Sequence, residues 1–398
     1  MPARIEPLAI SAMSATSALG HGLAAHIDAL GAGRGGLAAN DFSSAHLDCR
    51  IGRVTGVEDV ALPAALAHRD CRNNRLAWLG LQQDDLLDAI ARIVARHGAA
   101  RVALVLGTST ASIGSTEDAY RRLDHGHFPA DLRRPEIHTP HSLAAFVADA
   151  TGIAGPALTV STACSSSAKV FASAERLIRL GLADAALVGG VDTLCDSVLF
   201  GFNALELVSR QACRPFDARR DGISIGEAAA FALLERADSA PHAPRLAGYG
   251  ESSDAHHMST PHPQGRGALA ALGDALGRAG IDANAVDYVN LHGTATPKND
   301  EVEAKLLPRF PRRTRASSTK GFTGHTLGAA GALEAVFALL AIEHGVVPPN
   351  LGCDDPIPEA VPWLALQPAR QRIDIALSNS FGFGGNNACL VFARGGSA

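Results

Sequence analysis

Along the chain, short unbroken apolar runs read as buried strands, and longer stretches with apolar residues every three or four positions read as helices. Residues 8–12 form a first strand, closed by a serine-rich turn before Gly20, and residues 23–30 carry helical spacing up to Gly31. Residues 32–70 hold glycine and proline turns with few periodic runs and read as an elaborated surface segment. The spacing then predicts one helix over 76–95, a buried strand over 102–106, a Gly/Ser/Thr loop over 107–115 and a helix over 143–150. Residues 157–160, 185–188 and 228–234 are further strands, the second ending in Gly189 and Gly190.

After a polar, proline-containing connection over 238–244 the order begins again. Residues 246–250, 286–291 and 316–318 read as strands, and 269–276, 301–307 and 333–342 as helices, before two last strands over 373–378 and 388–392. Short apolar strands between helices predict α/β layers with sheets buried on both faces. Two halves of similar plan explain how one cooperative unit reaches 398 residues, a duplication inferred from element order.

The stretch from Thr159 to Gly181 organises the rest. An apolar run leads into a small-residue corner at Thr162 and Ala163, and a helix pattern starts at Cys164 itself. Ala168, Ala172, Leu177 and Ile178 set the helical spacing, Arg176 and Arg179 lie near its far end, and Gly181 stops it. A cysteine facing the free amides of a helix start is expected to have a lowered thiol pKa and to be a nucleophile. As a lone residue it is equally a small buried side chain.

Composition narrows the class. Hydrophobic residues make up 47% and charged residues 19%, a well-buried globular balance, and a net charge of -5 gives no global basic footprint for nucleic acid. Seven cysteines without CxxC spacing argue against a disulfide framework or a zinc site and for a reducing compartment. Glu6 and Pro7 interrupt the first apolar run, and no apolar span of about 20 residues follows, so the expectation is a cytoplasmic protein without a membrane span.

Three later stretches read as site loops. NLHGTATPKNDEVE sets His292 just after a buried strand, where functional side chains of α/β sheets cluster. STKGFTGHTLGAAGALEA places Lys320 and His325 on either side of a glycine turn that opens an apolar helix bearing Glu334, for which Lys320 is the obvious partner. SNSFGFGGNNA surrounds Phe383 with Gly382, Gly384 and Gly385, so that its backbone can approach a ligand. Each has a plainer reading, as a hydrogen-bonded turn histidine, a structural ion pair and a simple turn; no short spacing links the stretches, and the residues alone name no reaction.

TACSSS around Cys164, RPFDARRDGISIGEAA from Arg214, HGTATPKND from His292, STKGFTGHTLGAAGALEA from Ser318 and NSFGFGGNNA from Asn379 together resemble the elongating β-ketoacyl-acyl carrier protein synthases, in that family's order and over nearly the whole chain. The resemblance implies an α/β thiolase fold of two similar βαβ halves in five αβαβα layers, with residues 1–240 carrying the nucleophile and 241–398 the two histidines. It implies a dimer joined through the nucleophile-bearing half. It also implies a decarboxylative condensation in which Cys164 takes an acyl chain from its carrier and malonyl-acyl carrier protein extends it by two carbons. No metal or loose cofactor is implied, since substrates arrive on the carrier's phosphopantetheine.

By the same resemblance, His292 and His325 stabilise the enolate, the amides of Cys164 and Phe383 form an oxyanion hole, and Lys320 paired with Glu334 holds the second histidine loop. Phe383 gates the acyl pocket beside Gly382 and Gly384, with the 254–260 loop as its moving partner, and Thr294 and Thr296 belong to the substrate path. Ala228 and Asn386 depart from the family's GEGA and GGTN patterns, which bears on pocket shape and substrate and removes no catalytic group. Asp70 to Gly80, DCRNNRLAWLG, resembles stand-alone synthases of aryl-polyene pigment pathways, so the alternative to fatty acyl extension is one subunit of a ketosynthase/chain-length-factor heterodimer. A thiolase needs a second cysteine where Phe383 stands. Carrier proteins are acidic, and Arg69, Arg72, Arg133 and Arg134 are the expected docking patch.

Overall fold

In the computed structural model, which describes residues 2–396, ten strands build two sheets of identical topology. The first holds β1 (Leu8–Ser17), β2 (Val102–Gly107), β3 (Ala157–Val160), β4 (Ala185–Asp192) and β5 (Ala228–Arg236). The second holds β6 (Arg245–Ser253), β7 (Tyr288–Asn290), β8 (Arg315–Ser317), β9 (Ile375–Gly382) and β10 (Asn386–Ala393). Their spatial orders, β3-β2-β4-β5-β1 and β8-β7-β9-β10-β6, are the same when each half is counted from its own start. In both, the second strand runs parallel to the third and fourth, and the fifth runs antiparallel to the fourth and first. The two sheets touch through β1 and β6, where Leu8 faces Leu246 and Ala9 faces Arg245.

The main helices are α1 (Gly22–Ala32), α2 (Arg72–Leu81), α3 (Leu86–His97), α4 (Ile113–Arg121), α5 (Ser142–Thr151) and α6 (Ser166–Arg179) in the first half. The remainder are α7 (Asp196–Ala204), α8 (Arg266–Ala279), α9 (Pro297–Ala304), α10 (Lys320–Thr323) and α11 (Ala330–His344). α6 and α11, which follow the third strand of their halves, pack on each other between the sheets. Small residues permit this: the Ala332 amide donates to Ser167 Oγ at 2.8 Å, and a Cβ on Gly331 would lie 2.4 Å from the Ala168 nitrogen. With α2, α3 and α5 against the outer face of the first sheet and α8 against that of the second, the molecule has the five αβαβα layers of the thiolase fold. The Leu327–His344 segment is apolar and long enough to cross a membrane by composition, but it is the buried core of the middle layer.

Four local expectations are corrected. Residues 76–95 form two helices, because Asp84 and Asp85 take left-handed φ angles of 56° and 54° between them. The break is used: the Asp84 carboxylate accepts from the Leu23 amide at 2.9 Å and holds the first turn of α1. Residues 32–70 are more than surface, since Ile51, Val54 and Val57 are buried and Arg50–Gly52 pairs in parallel with Ile225–Gly226. α4 begins inside the supposed 107–115 loop, and α6 begins two residues after Cys164, at Ser166.

Candidate active site

Cys164 stands on the turn between β3 and α6, made possible by Ala163 at φ 52° and closed by the Ser166 amide donating to the Ala163 carbonyl at 3.1 Å. The expected acidic thiol is overturned. Burial pushes the Cys164 thiol up to about 11, against the Lys320 charge and the amides of Phe383 and Cys164, which pull it down. The side chain is 7% exposed, and removing a thiolate from water outweighs nearby dipoles when the helix itself starts beyond the sulfur. The resting Cys164 side chain is therefore a thiol. Inactivation by iodoacetamide should rise about tenfold per pH unit between about pH 7 and 9 without a plateau, measured as the rate of Cys164 alkylation; a plateau below pH 9 would show a more acidic sulfur.

His292 follows β7 and is fixed from three directions. Glu303 on α9 accepts from the His292 and Gly293 amides at 2.8 and 2.7 Å and from Asn379 Nδ2 at 3.1 Å. Lys320, at the start of α10, donates to the His292 carbonyl at 2.6 Å and lies 3.3 Å from its Nδ1. Glu334 on α11 accepts from the same ammonium at 2.5 Å. Lys320 has only donors to offer, so His292 Nδ1 is an acceptor and the ring proton sits on Nε2.

His325 lies beyond Gly324, whose φ of 72° turns the chain, and its amide donates to the Ser224 carbonyl at 2.7 Å. Its Nδ1 accepts from the Leu327 amide at 3.1 Å, which again places the proton on Nε2, a buried atom without a partner among the described residues. The two rings meet edge to face with centroids 5.4 Å apart. Burial, and after it the Lys320 charge, holds both imidazoles well below their ordinary range, so both are neutral donors. Burial also raises Glu334 to about 7, opposed by Lys320, and Glu303 to about 7, opposed by the donors it accepts from.

These groups share one cavity of about 450 Å³, lined by Cys164, His292, His325, Thr294, Thr296, Gly382 and Phe383 among others. Thr294 and Thr296 hydroxyls lie 2.8 Å apart. Phe383 packs on Phe202 of α7 at 5.6 Å between centroids, in a turn where Gly384 has φ 76°. The 254–260 loop holds this turn: the Gly384 amide donates to the Met258 carbonyl at 2.7 Å, and the Asp254 amide to the Gly385 carbonyl at 2.9 Å. Asn386 accepts from Lys169 Nζ at 3.2 Å, tying the turn to α6.

The four arginines lie apart from the cavity. Arg69 pairs with Asp149 at 2.7 Å, Arg72 with buried Glu227 at 2.6 Å and with Glu58, and Arg134 donates to the His68 and Asp70 carbonyls. Arg133 is exposed, with one bond to the Phe128 carbonyl at 3.0 Å. Sequence reasoning missed Glu303 and Asp192. The latter ends β4 and gathers Thr108, Ser109, Thr110 and the Gly328 amide on one carboxylate. Glu303 was signalled only as an acid eleven residues after His292, with nothing local to say that it turns back. Among the described residues no group of three or more His, Cys, Asp or Glu could hold a metal ion.

Residues 6–240 match the family model described as Beta-ketoacyl synthase, N-terminal domain, and residues 244–354 match Beta-ketoacyl synthase, C-terminal domain. The chain is 43% identical to 3-oxoacyl-[acyl-carrier-protein] synthase 2 of Rhizobium meliloti over 60% of its own length and 61% of that protein. It is 32% identical to the protein of the same description from Vibrio cholerae over 76% of the chain and 78% of that protein. The chain spans about three fifths of the length of the first relatives it matches. Among solved structures it is similar to a ketosynthase (ApeO) in complex with its chain length factor (ApeC) from Xenorhabdus doucetiae, with 38% identity, a TM-score of 0.87 and 98% of each chain covered.

Proposed function

The chain belongs to the β-ketoacyl synthase family, and from that premise we propose that it condenses an acyl group held on Cys164 with malonyl-acyl carrier protein, with loss of carbon dioxide. The carrying observation is that two neutral imidazoles present Nε2–H donors in the cavity that holds the Cys164 sulfur. In the first half-reaction the sulfur attacks the thioester carbonyl of an acyl-carrier. Amides of Cys164 and Phe383, which favour negative charge at the sulfur, would take the tetrahedral oxyanion. The phosphopantetheine sulfur then leaves with the proton Cys164 gave up.

Malonyl-carrier enters next, its carboxylate carbon departs as carbon dioxide, and the electron pair moves to the thioester oxygen. Neutral donors suit that oxygen, because they stabilise charge that develops without carrying a counter-charge into the resting site. The enolate carbon attacks the acyl carbonyl, the bond to Cys164 breaks, and the thiolate takes up a proton. The chain leaves on its carrier two carbons longer. We place the division between the halves at residues 240 and 241, with the nucleophile before it and the imidazoles after.

Two substrate settings fit this chemistry, fatty acyl extension and polyene or polyketide extension. The 38% identity to a ketosynthase solved with its chain length factor, over 98% of the chain, favours the second and a related synthase-like partner. β3 supports a dimer of either kind: it is the free edge of its sheet, and Leu158 on it is 45% exposed. The seven unpaired cysteines support a cytoplasmic location. Incubation with a panel of acyl-carriers and malonyl-carrier tests the proposal, intact mass reading the acyl group on Cys164 and product analysis the two-carbon extension. No acylation from any carrier would overturn it.

The acidic carrier would meet the face of Arg69, Arg72, Arg133 and Arg134. Arg69 and Arg72 already pair with carboxylates within the chain, which leaves Arg133 and Arg134, bonded only to backbone carbonyls, as the main electrostatic contributors. Arg133→Glu combined with Arg134→Glu should raise the apparent KM for the carrier about three- to tenfold while leaving the turnover number within about twofold; an unchanged KM moves the carrier elsewhere.

A further inference from the structure

The cavity has chemically different ends. Its inner end holds buried Cys164, His292 and His325; its exposed rim includes one cation, Lys298, the sole lysine or arginine lining it among the described residues. That side chain is 73% exposed and pairs with Glu301 only loosely, at 3.6 Å, beyond hydrogen-bond distance, so an entering anion can compete for its ammonium. Among the described residues the only carboxylate lining the cavity, Asp254, is already engaged by the His262 amide and Asn387.

We propose that Lys298 recognises the phosphate of the phosphopantetheine arm. The inference rests on the condensation reading above. An arm whose thioester must reach Cys164 leaves its other end, the phosphate, at the mouth of the same cavity, where a mobile ammonium acts as a point charge for it. The neighbouring Thr294 and Thr296 hydroxyls are neutral and cannot supply that charge. The chain thereby distinguishes carrier-borne or phosphopantetheinyl thioesters from neutral thioesters of the same acyl group.

The test compares acyl transfer to Cys164 from two synthetic donors, an acyl-phosphopantetheine and the matching acyl-pantetheine, by intact mass. Wild type should prefer the phosphorylated donor about three- to tenfold in kcat/KM, with the preference eroding at high salt. In Lys298→Ala the ratio should collapse towards one, and Lys298→Arg should restore it. Because the side chain is exposed, these variants are expected to fold, which circular dichroism checks. A ratio in Lys298→Ala equal to that of an active wild type overturns the role of Lys298 alone. A wild type that accepts acyl groups neither from these donors nor from any carrier overturns the condensation reading and this inference with it.

Discussion

Cys164→Ala should show no acyl adduct by intact mass, and condensation should fall by at least about 10⁴-fold, because alanine offers no atom to form the thioester on which the second half-reaction depends. The loss should not extend to decarboxylation. Lys320, Glu334, Glu303 and the two rings form their contacts without the sulfur, so decarboxylation of malonyl-carrier should survive within about tenfold of wild type. The melting temperature should move by no more than about 2 °C, since only one sulfur at the wall of an existing cavity is removed. An adduct persisting in the variant would assign the nucleophile to another residue. Loss of both activities with an intact fold would mean that the sulfur takes part in decarboxylation.

Local pattern carried much of the fold, because strand and helix periods are written into neighbouring residues. The repeat of element order from residue 246 was legible, whereas the shared β3-β2-β4-β5-β1 plan was not, since pairing across a sheet joins residues far apart in the chain. Periodicity also misled. Apolar positions continue in phase across Gln82 to Asp85, so the break between α2 and α3 depends on two left-handed aspartates, one of which serves a distant helix. The 32–70 segment lacked a period yet supplies part of the site's support: a Cβ on Gly52 would lie 2.0 Å from the Thr323 carbonyl oxygen in α10.

The site was legible as residues and not as states. Strand-turn-helix spacing located Cys164, but its protonation is decided by burial, which is a property of five layers and not of the turn. The histidines were visible beside their glycines, whereas the proton positions follow from Lys320 on one ring and the Leu327 amide on the other. The arginine cluster read as one basic patch because a sequence does not show Asp149, Glu58 and Glu227 coming to meet it. Asn386, noted as a departure, finds its account only in Lys169 of α6.

Lys320→Met should give the largest combined loss of stability and function outside the nucleophile. The ammonium is 1% exposed and makes the one bond to Glu334 Oε1, so removing it leaves an unpaired buried carboxyl. The variant should lose about 3–5 kcal/mol at alkaline pH. Burial already raises Glu334 to about 7, above its ordinary 4.5, so ionising it in place costs stability as pH rises through that range. Without Lys320 the folded-state value climbs further and the carboxyl stays protonated over a wider range. The deficit against wild type should thus be larger by about 1–2 kcal/mol at pH 8 than at pH 6, measured by urea unfolding. Lys320→Met with Glu334→Leu removes both charges and should recover most of the stability. Decarboxylation should remain at least about 10²-fold down in both variants, because nothing then fixes the His292 proton on Nε2 or holds its carbonyl. If the double variant regains activity along with stability, Lys320 serves the fold alone and the orientation of His292 has another source.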